Sequence, residues 1–303
     1  MLGILNINKP SNVTSRDVVS RVCHVYREAT GNKLKAGHAG TLDPGATGVL
    51  IVCLGKATRL IRYIQEASKT YQGKFQLGVT SASVDLETDL VHLENPIQPR
   101  WQDIELAIPR FCGKILQKPP AYSAISIKGQ RAYKLARQGI SFDIKAKEVE
   151  VHRIDVHGYQ YPFLELEIEC GSGTYIRSLG RDLARFLQSD AVMTQLCRTA
   201  IGQFRVADAM NMDEVTIETI RAGMISPCRA VEHLPQVIVD RHQVTELQRG
   251  GFISLENSDA ENVEPDNIQP SNEIMALDHS GKLVAILEPR GSKWKPLINL
   301  SAE

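Results

Sequence analysis

Hydrophobic and polar positions along the chain fall into a few patterns that assign elements. Leu164-Glu165-Leu166-Glu167-Ile168-Glu169 alternates strictly, which predicts a strand with one buried and one wet face. Val49-Leu50-Ile51-Val52-Cys53-Leu54, the longest unbroken apolar run, reads as a buried strand. Residues 4–8 read as a strand stopped by the turn cluster Lys9-Pro10-Ser11-Asn12. Thr14 then fits a helix N-cap, with Asp17 for a capping box and Val18, Val22, Val25 and Tyr26 on one face. The polar stretch 28–37 is expected to be a loop.

Further along, 57–65 suits a helix with Leu60 and Ile64 inward and Arg59 and Arg62 outward. Residues 69–79 alternate as a strand carrying Tyr71, and Asp85, Glu87 and Asp89 follow in a loop where solvated acids are the default. A helix over 104–111 must bend or end at Pro109. Residues 130–138 read as a helix stopped by Gly139. After the turn Gly171-Ser172-Gly173 comes a helix with Ile176, Leu179, Leu183 and Phe186 inward; Arg177, Arg181 and Arg185 share a stripe that could meet carboxylate or phosphate. A short helix runs from 213 to 221, and Leu234-Pro235 marks a boundary. Beyond it lie a strand at 237–240, a helix at 241–249 ended by Gly250-Gly251, and a hairpin joining 274–277 to 283–287.

Composition narrows the class. The 303 residues are 43% hydrophobic and 23% charged, ordinary for one large or two smaller globular domains. No apolar stretch is long enough to cross a bilayer and the first residues lack a signal-peptide pattern, so a cytoplasmic location is expected. Cys23, Cys53, Cys112, Cys170, Cys197 and Cys228 form no C-x-x-C and the histidines no H-E-x-x-H, which suggests neither a disulfide framework nor a metal site. The balanced charge conceals an asymmetry: six acids and no Lys or Arg lie between Glu256 and Glu273, leaving 35 basic against 29 acidic residues elsewhere. A mildly basic body is compatible with a polyanionic partner.

The candidate chemistry sits in Gly37-His38-Ala39-Gly40-Thr41-Leu42-Asp43-Pro44-Gly45-Ala46-Thr47-Gly48, ahead of the buried strand. Its glycines allow backbone to approach a ligand closely. Asp43 precedes Pro44, which disfavours helical dihedrals, and Leu42-Asp43-Pro44-Gly45 suits a type II turn that would present the carboxylate stiffly. A phosphate-binding loop is excluded, because Leu50 stands where the first Gly is needed and Ala57 follows Lys56. Gly171-x-Gly173 fails as a dinucleotide fingerprint, with Ile176 in place of the third Gly.

Six motifs in order over roughly residues 4 to 205 resemble the TruB-type tRNA pseudouridine-55 synthases: Asn8-Lys9-Pro10 with Thr14-Ser15, Gly37 to Pro44, Lys69-Thr70-Tyr71, Pro119-Pro120-Ala121-Tyr122-Ser123-Ala124, Ala132 to Arg137 with Gly139, and Gly173-Thr174-Tyr175-Ile176-Arg177. The resemblance implies an α+β fold, with a central mainly antiparallel sheet flanked by helices. It places the catalytic domain at 1–234 and a small β-rich RNA-binding module of the PUA type at 235–303. It also implies conversion of uridine to pseudouridine in the T-loop of tRNA, without cofactor or metal, by a monomer. Asp43 then matches the nucleophile and Tyr71 the tyrosine that stacks on the target base. His38 matches the residue that fills the space left by extruded bases, and Arg177 the arginine paired with the aspartate. Lys9, Asp85, Lys128 and Leu196 align with pocket or RNA-contacting positions. Asn12 stands where the family usually has Gly, a change a left-handed turn tolerates. A non-catalytic RNA-binding protein and an N-glycoside hydrolase or base-exchange enzyme are the competing classes.

Overall fold

The computed structural model describes residues 1–127, 129–255 and 273–301. The acidic run expected between Glu256 and Glu273 therefore lies, up to residue 272, outside the described residues.

Local signals at the start of the chain translate directly into structure. The helix Ser15–Thr30 begins at the Thr14 N-cap with the Asp17 capping box in place and buries Val18, Val22 and Val25. It ends at Gly31, whose φ of 71° closes the helix in left-handed geometry. The loop expected over 28–37 is shorter than its polarity suggested, because the helix reaches Thr30 and Ala36–His38 pairs as a short strand with Thr47–Leu54.

One large sheet organises the chain. Its strands run in the order Met210–Asn211, Gly3–Lys9, Thr47–Leu54, Ala191–Ile201, Lys69–Leu77, Phe163–Cys170, Lys147–Gln160 and Gly113–Gln117. Pairing is antiparallel except where Thr47–Leu54 meets Ala191–Ile201 and where Gly3–Lys9 meets Met210–Asn211. In Phe163–Cys170 the alternation holds: Leu164, Leu166 and Ile168 are buried among Phe75, Ile176, Leu179 and Leu183. The strand Thr47–Leu54 is buried on both faces, Leu50, Val52 and Leu54 against the first helix and Val49, Ile51 and Cys53 against the opposite layer.

One sequence expectation along these elements needs correction. Phe186 is not inward: it is 48% exposed, meets Phe111 edge-on at 6.1 Å, and lies under the Arg110 guanidinium. It sits on the last turn of Ile176–Phe186, where the helix has run past the strands it covers. The helix ends at Pro109 as expected: Trp101–Ala107 is α-helical, and the chain continues through Ile108–Phe111 as a 3-10 turn.

Beyond Leu234, the strands Gln236–Ile238, Ile274–Leu277, Leu283–Arg290 and Lys293–Asn299 form a separate sheet beside the helix Arg241–Gln248. This unit shares a core with the large sheet: Met275, Leu283, Ile286, Ile298 and Leu300 are buried in one cluster with Ile51, Cys53, Leu60 and Ile64. Lys56 and Arg59 add hydrogen bonds to the carbonyls of Ser301 and Asn299. The fold is thus α+β, with a mainly antiparallel central sheet and a small C-terminal β unit. No described helix is long and apolar enough to cross a membrane.

Candidate active site

The Asp43 turn is built from both ends of its neighbouring elements. Ala46 N–H donates to the Asp43 carbonyl at 3.0 Å, closing a turn around Pro44-Gly45. Gly45 lacks the positive φ of a type II turn, so that expected turn type is wrong. Pro44 suits the second position of either common type, and the absence of a positive φ at Gly45 excludes type II. Asn12 N–H donates to Pro44 O at 2.8 Å from a φ of 63°, the left-handed geometry its side chain tolerates. Ser15 Oγ both donates to Leu42 O and accepts from Leu42 N–H. Lys9 lies beneath, with no solvent exposure, and its Nζ donates to the carbonyls of Pro10, Val13 and Pro44.

The three ammonium donors of Lys9 all go to protein carbonyls, so the side chain braces the turn from below. Burial lowers its pKa to about 8, with Asp43 opposing the shift.

Arg177 enters from the N-terminal turn of Ile176–Phe186 and is 5% exposed. Its guanidinium forks between two carboxylates: Nη2 lies 3.0 Å from Asp43 Oδ2 and Nη1 lies 2.7 Å from Asp85 Oδ2. The same nitrogens donate to Ser83 O and Tyr122 O, so each terminal nitrogen serves two acceptors. Asp85 is therefore not a solvated loop acid; it stands behind Arg177, and its Oδ1 accepts from Glu87 N–H. The rest of the expected arginine stripe is committed elsewhere. Arg181 bonds Asp182 and Lys118 O, and Arg185 bonds Asp190, which leaves no common phosphate site.

Asp43, Tyr71, Arg177 and Leu196 line one cavity of about 200 Å³, together with Ser123 and Tyr175. The Asp43 side chain keeps 47% of its exposure, and its carboxylate opens into this crowded recess. Desolvation accordingly pushes its pKa above the ordinary carboxylate value; Arg177 is the main opposing influence, while Asp85 and Glu87 add to the rise. Burial likewise raises the Tyr71 hydroxyl pKa, against a downward pull from Arg198.

His38 does not line the cavity. It ends the strand Ala36–His38, its Nδ1 has no hydrogen-bond partner among the described residues, and desolvation followed by the nearby Arg198 charge lowers its pKa, which favours the neutral ring. Lys128 lies outside the described residues. Sequence reading assigned no role to Tyr175, Ser123 or Arg198. Tyr175 was within reach, two residues before Arg177 in the last of the six motifs. Ser123 sits in the double-proline motif, while nothing local marks Arg198 as buried. Among the described residues no three His, Cys, Asp or Glu side chains gather as metal ligands.

Comparison with known proteins identifies the family. A family model described as TruB family pseudouridylate synthase (N terminal domain) matches residues 27–176. The tRNA pseudouridine synthase B of Dehalococcoides mccartyi is 38% identical over 301 residues, covering 98% of this chain and 95% of the relative. Its namesake in Acaryochloris marina is 43% identical over 242 residues, covering 79% and 81%. That of Rhodopirellula baltica is 34% identical, covering 98% and 94%. Among solved structures, a chain of a Cbf5-Nop10-Gar1 complex superposes with a TM-score of 0.71 at 24% identity, covering 99% of this chain and 84% of that one, a likeness of fold. On these sequence matches, the chain belongs to the TruB family of pseudouridylate synthases.

Proposed function

We propose that the chain isomerises uridine to pseudouridine at position 55 in the T-loop of tRNA, with Asp43 as nucleophile acting on a flipped-out base. The observation that carries this reading is the Asp43–Arg177 ion pair at 3.0 Å, in a cavity whose walls include Tyr71 and Leu196. The reaction breaks the N1–C1′ bond, turns the uracil while it stays bound, and joins C5 to C1′; C5 loses a proton and N1 gains one. A carboxylate can stabilise or trap the positive character at C1′, attack C6, or assist a glycal route, and each role needs it ionised. Arg177 favours that form against the opposing effect of burial.

Extracting the uridine costs about a few kcal/mol, and stacking on an aromatic returns about 1–3 kcal/mol. Tyr71 is the wall residue suited to that stacking, and its hydroxyl is the candidate for handling the C5 proton. We assign catalysis to residues 1–234 and tRNA contacts of the PUA type to 235–303; the shared core joins the two parts firmly.

Release of tritium from C5 of uridine in one unmodified tRNA, and in the same tRNA with its T-loop uridine changed to cytidine, tests the assignment. Release from the first and none from the second is expected, with all uracil retained in the RNA. Equal release from both would remove the T-loop assignment, and free uracil would point to a hydrolase.

A further inference from the structure

Arg198 is among the largest fully buried side chains, 2% exposed, on the strand Ala191–Ile201 between the strands that lead from Asp43 and carry Tyr71. Its described contacts differ from those of Arg177. No ion pair to a carboxylate is among them. Nε donates to Val49 O at 2.9 Å, Nη2 to Gly40 O at 3.1 Å and Nη1 to Thr41 O at 3.5 Å. Gly40 and Thr41 lie just ahead of Asp43 in the same loop. In register, Arg198 stands opposite Tyr71 on one side and beside Gly48 on the other. Gly48 has a φ of 100°, and a Cβ there would lie 2.2 Å from the Arg198 carbonyl, so the two strands meet as closely as backbone allows.

Stability alone explains such a residue poorly. A guanidinium stays charged, and burying one without a counter-ion costs several kcal/mol before hydrogen bonds offset it. What the three carbonyl bonds achieve is geometric: they tie the front of the Asp43 loop to the floor of the sheet, while Lys9 ties its back through Pro44 O. The Arg198 charge also faces Tyr71, drawing that hydroxyl pKa down against burial.

We propose that Arg198 is a positioning residue for the isomerisation, its planar fork holding the Asp43 loop and the Tyr71 strand as one rigid unit. The inference rests on Asp43 being the nucleophile. It assigns Arg198 no contact with RNA and no direct part in bond making.

Single-turnover tritium release by Arg198→Lys, which keeps the charge but loses the fork, tests it. The expected result is a rate constant lower by about 100-fold, the loss that a displacement near 1 Å produces. Reaction amplitude, tRNA affinity and melting temperature should stay close to wild type. A rate within about threefold of wild type would overturn the proposal. So would a loss confined to amplitude or melting temperature, which is how a purely structural residue behaves. Arg198→Gln, which retains two donors without charge, should fall between Arg198→Lys and wild type if the fork matters more than the charge; a slower Arg198→Gln would also overturn it. If neither variant folds, backbone amide exchange in the wild-type protein decides. Leu42 and Ala46 amides protected to within about 100-fold of Val52 support a locked loop, and weaker protection refutes it. Asp43→Asn run alongside separates the two readings: an active Asp43→Asn undoes the nucleophile assignment itself, whereas an inactive Asp43→Asn with a fully active Arg198→Lys undoes only the Arg198 role.

Discussion

Arg177→Met removes one cation from between two carboxylates, and the structure sets the size of the effect. The guanidinium is 5% exposed and makes four polar contacts, to Asp43, Asp85, Ser83 O and Tyr122 O. Breaking a buried ion pair from one side costs about 3–5 kcal/mol, because the remaining charge is left without compensation. Asp85, 15% exposed, bears most of that loss, whereas Asp43, at 47%, can draw on solvent in the cavity. At roughly 2–4 °C per kcal/mol, the variant should melt roughly 6–20 °C below wild type at pH 7.5. Adding Asp85→Asn should restore part of the deficit, since an amide tolerates the site better than an unpaired charge. The deficit should also narrow on acidification: the Asp43 pKa, already raised, rises further without Arg177, and a protonated carboxyl no longer lacks its partner. Thermal unfolding of wild type, Arg177→Met and the double variant at pH 7.5 and pH 5.5 measures all three effects. An Arg177→Met melting point within about 2 °C of wild type at pH 7.5 would refute the claim that the fork carries buried charge.

Two other outcomes follow from the same site. Because burial holds the Asp43 pKa above the ordinary 3.8, its ionisation opposes folding at neutral pH, an effect that is absent below 3.8 and complete above the raised value. Asp43→Asn should therefore melt above wild type at pH 7.5, and the gap should close as the pH falls towards 3.8; a lower melting point at pH 7.5 contradicts the sign. Lys9→Met leaves three carbonyls without their donor and should cost about 1–3 kcal/mol by denaturant unfolding, with tRNA affinity unchanged; a several-fold loss of affinity in the folded variant would identify Lys9 as an RNA contact.

Where short-range rules act, the chain states its structure openly. The Thr14 capping box, the alternation from Leu164 to Glu169, the end of the α-helix before Pro109 and the hairpin at Ile274–Leu277 each depend on neighbours in sequence. The strands Lys147–Gln160 and Ala191–Ile201 are not marked by the sequence pattern, although each pairs on both sides within the sheet. Each is interrupted by register shifts, at Val151/Arg153 and Val156/Gly158 in one and at Met193/Gln195 and Arg198/Ala200 in the other. A bulge resets the two-residue period, so the apolar pattern slips from face to face along the strand. The last strand, Lys293–Asn299, carries Lys293, Lys295 and Pro296 and does not read as one.

The site divides along the same line. Asp43 and Tyr71 stand on elements that sequence pattern finds, and resemblance supplied their pairing with Arg177. Lys9 reads only as part of a turn and Asp85 as a solvated acid, because only the fold brings three carbonyls to one and a guanidinium to the other. Arg198 lies beside a register shift in the middle of a strand, where a charged residue is ordinarily taken to point outward.

The most direct test of the Asp43 assignment is C5 tritium release by Asp43→Asn on an unmodified tRNA, with tRNA affinity measured on the same preparation. No release, with affinity within a few-fold of wild type, is the predicted result; release at the wild-type rate would contradict it.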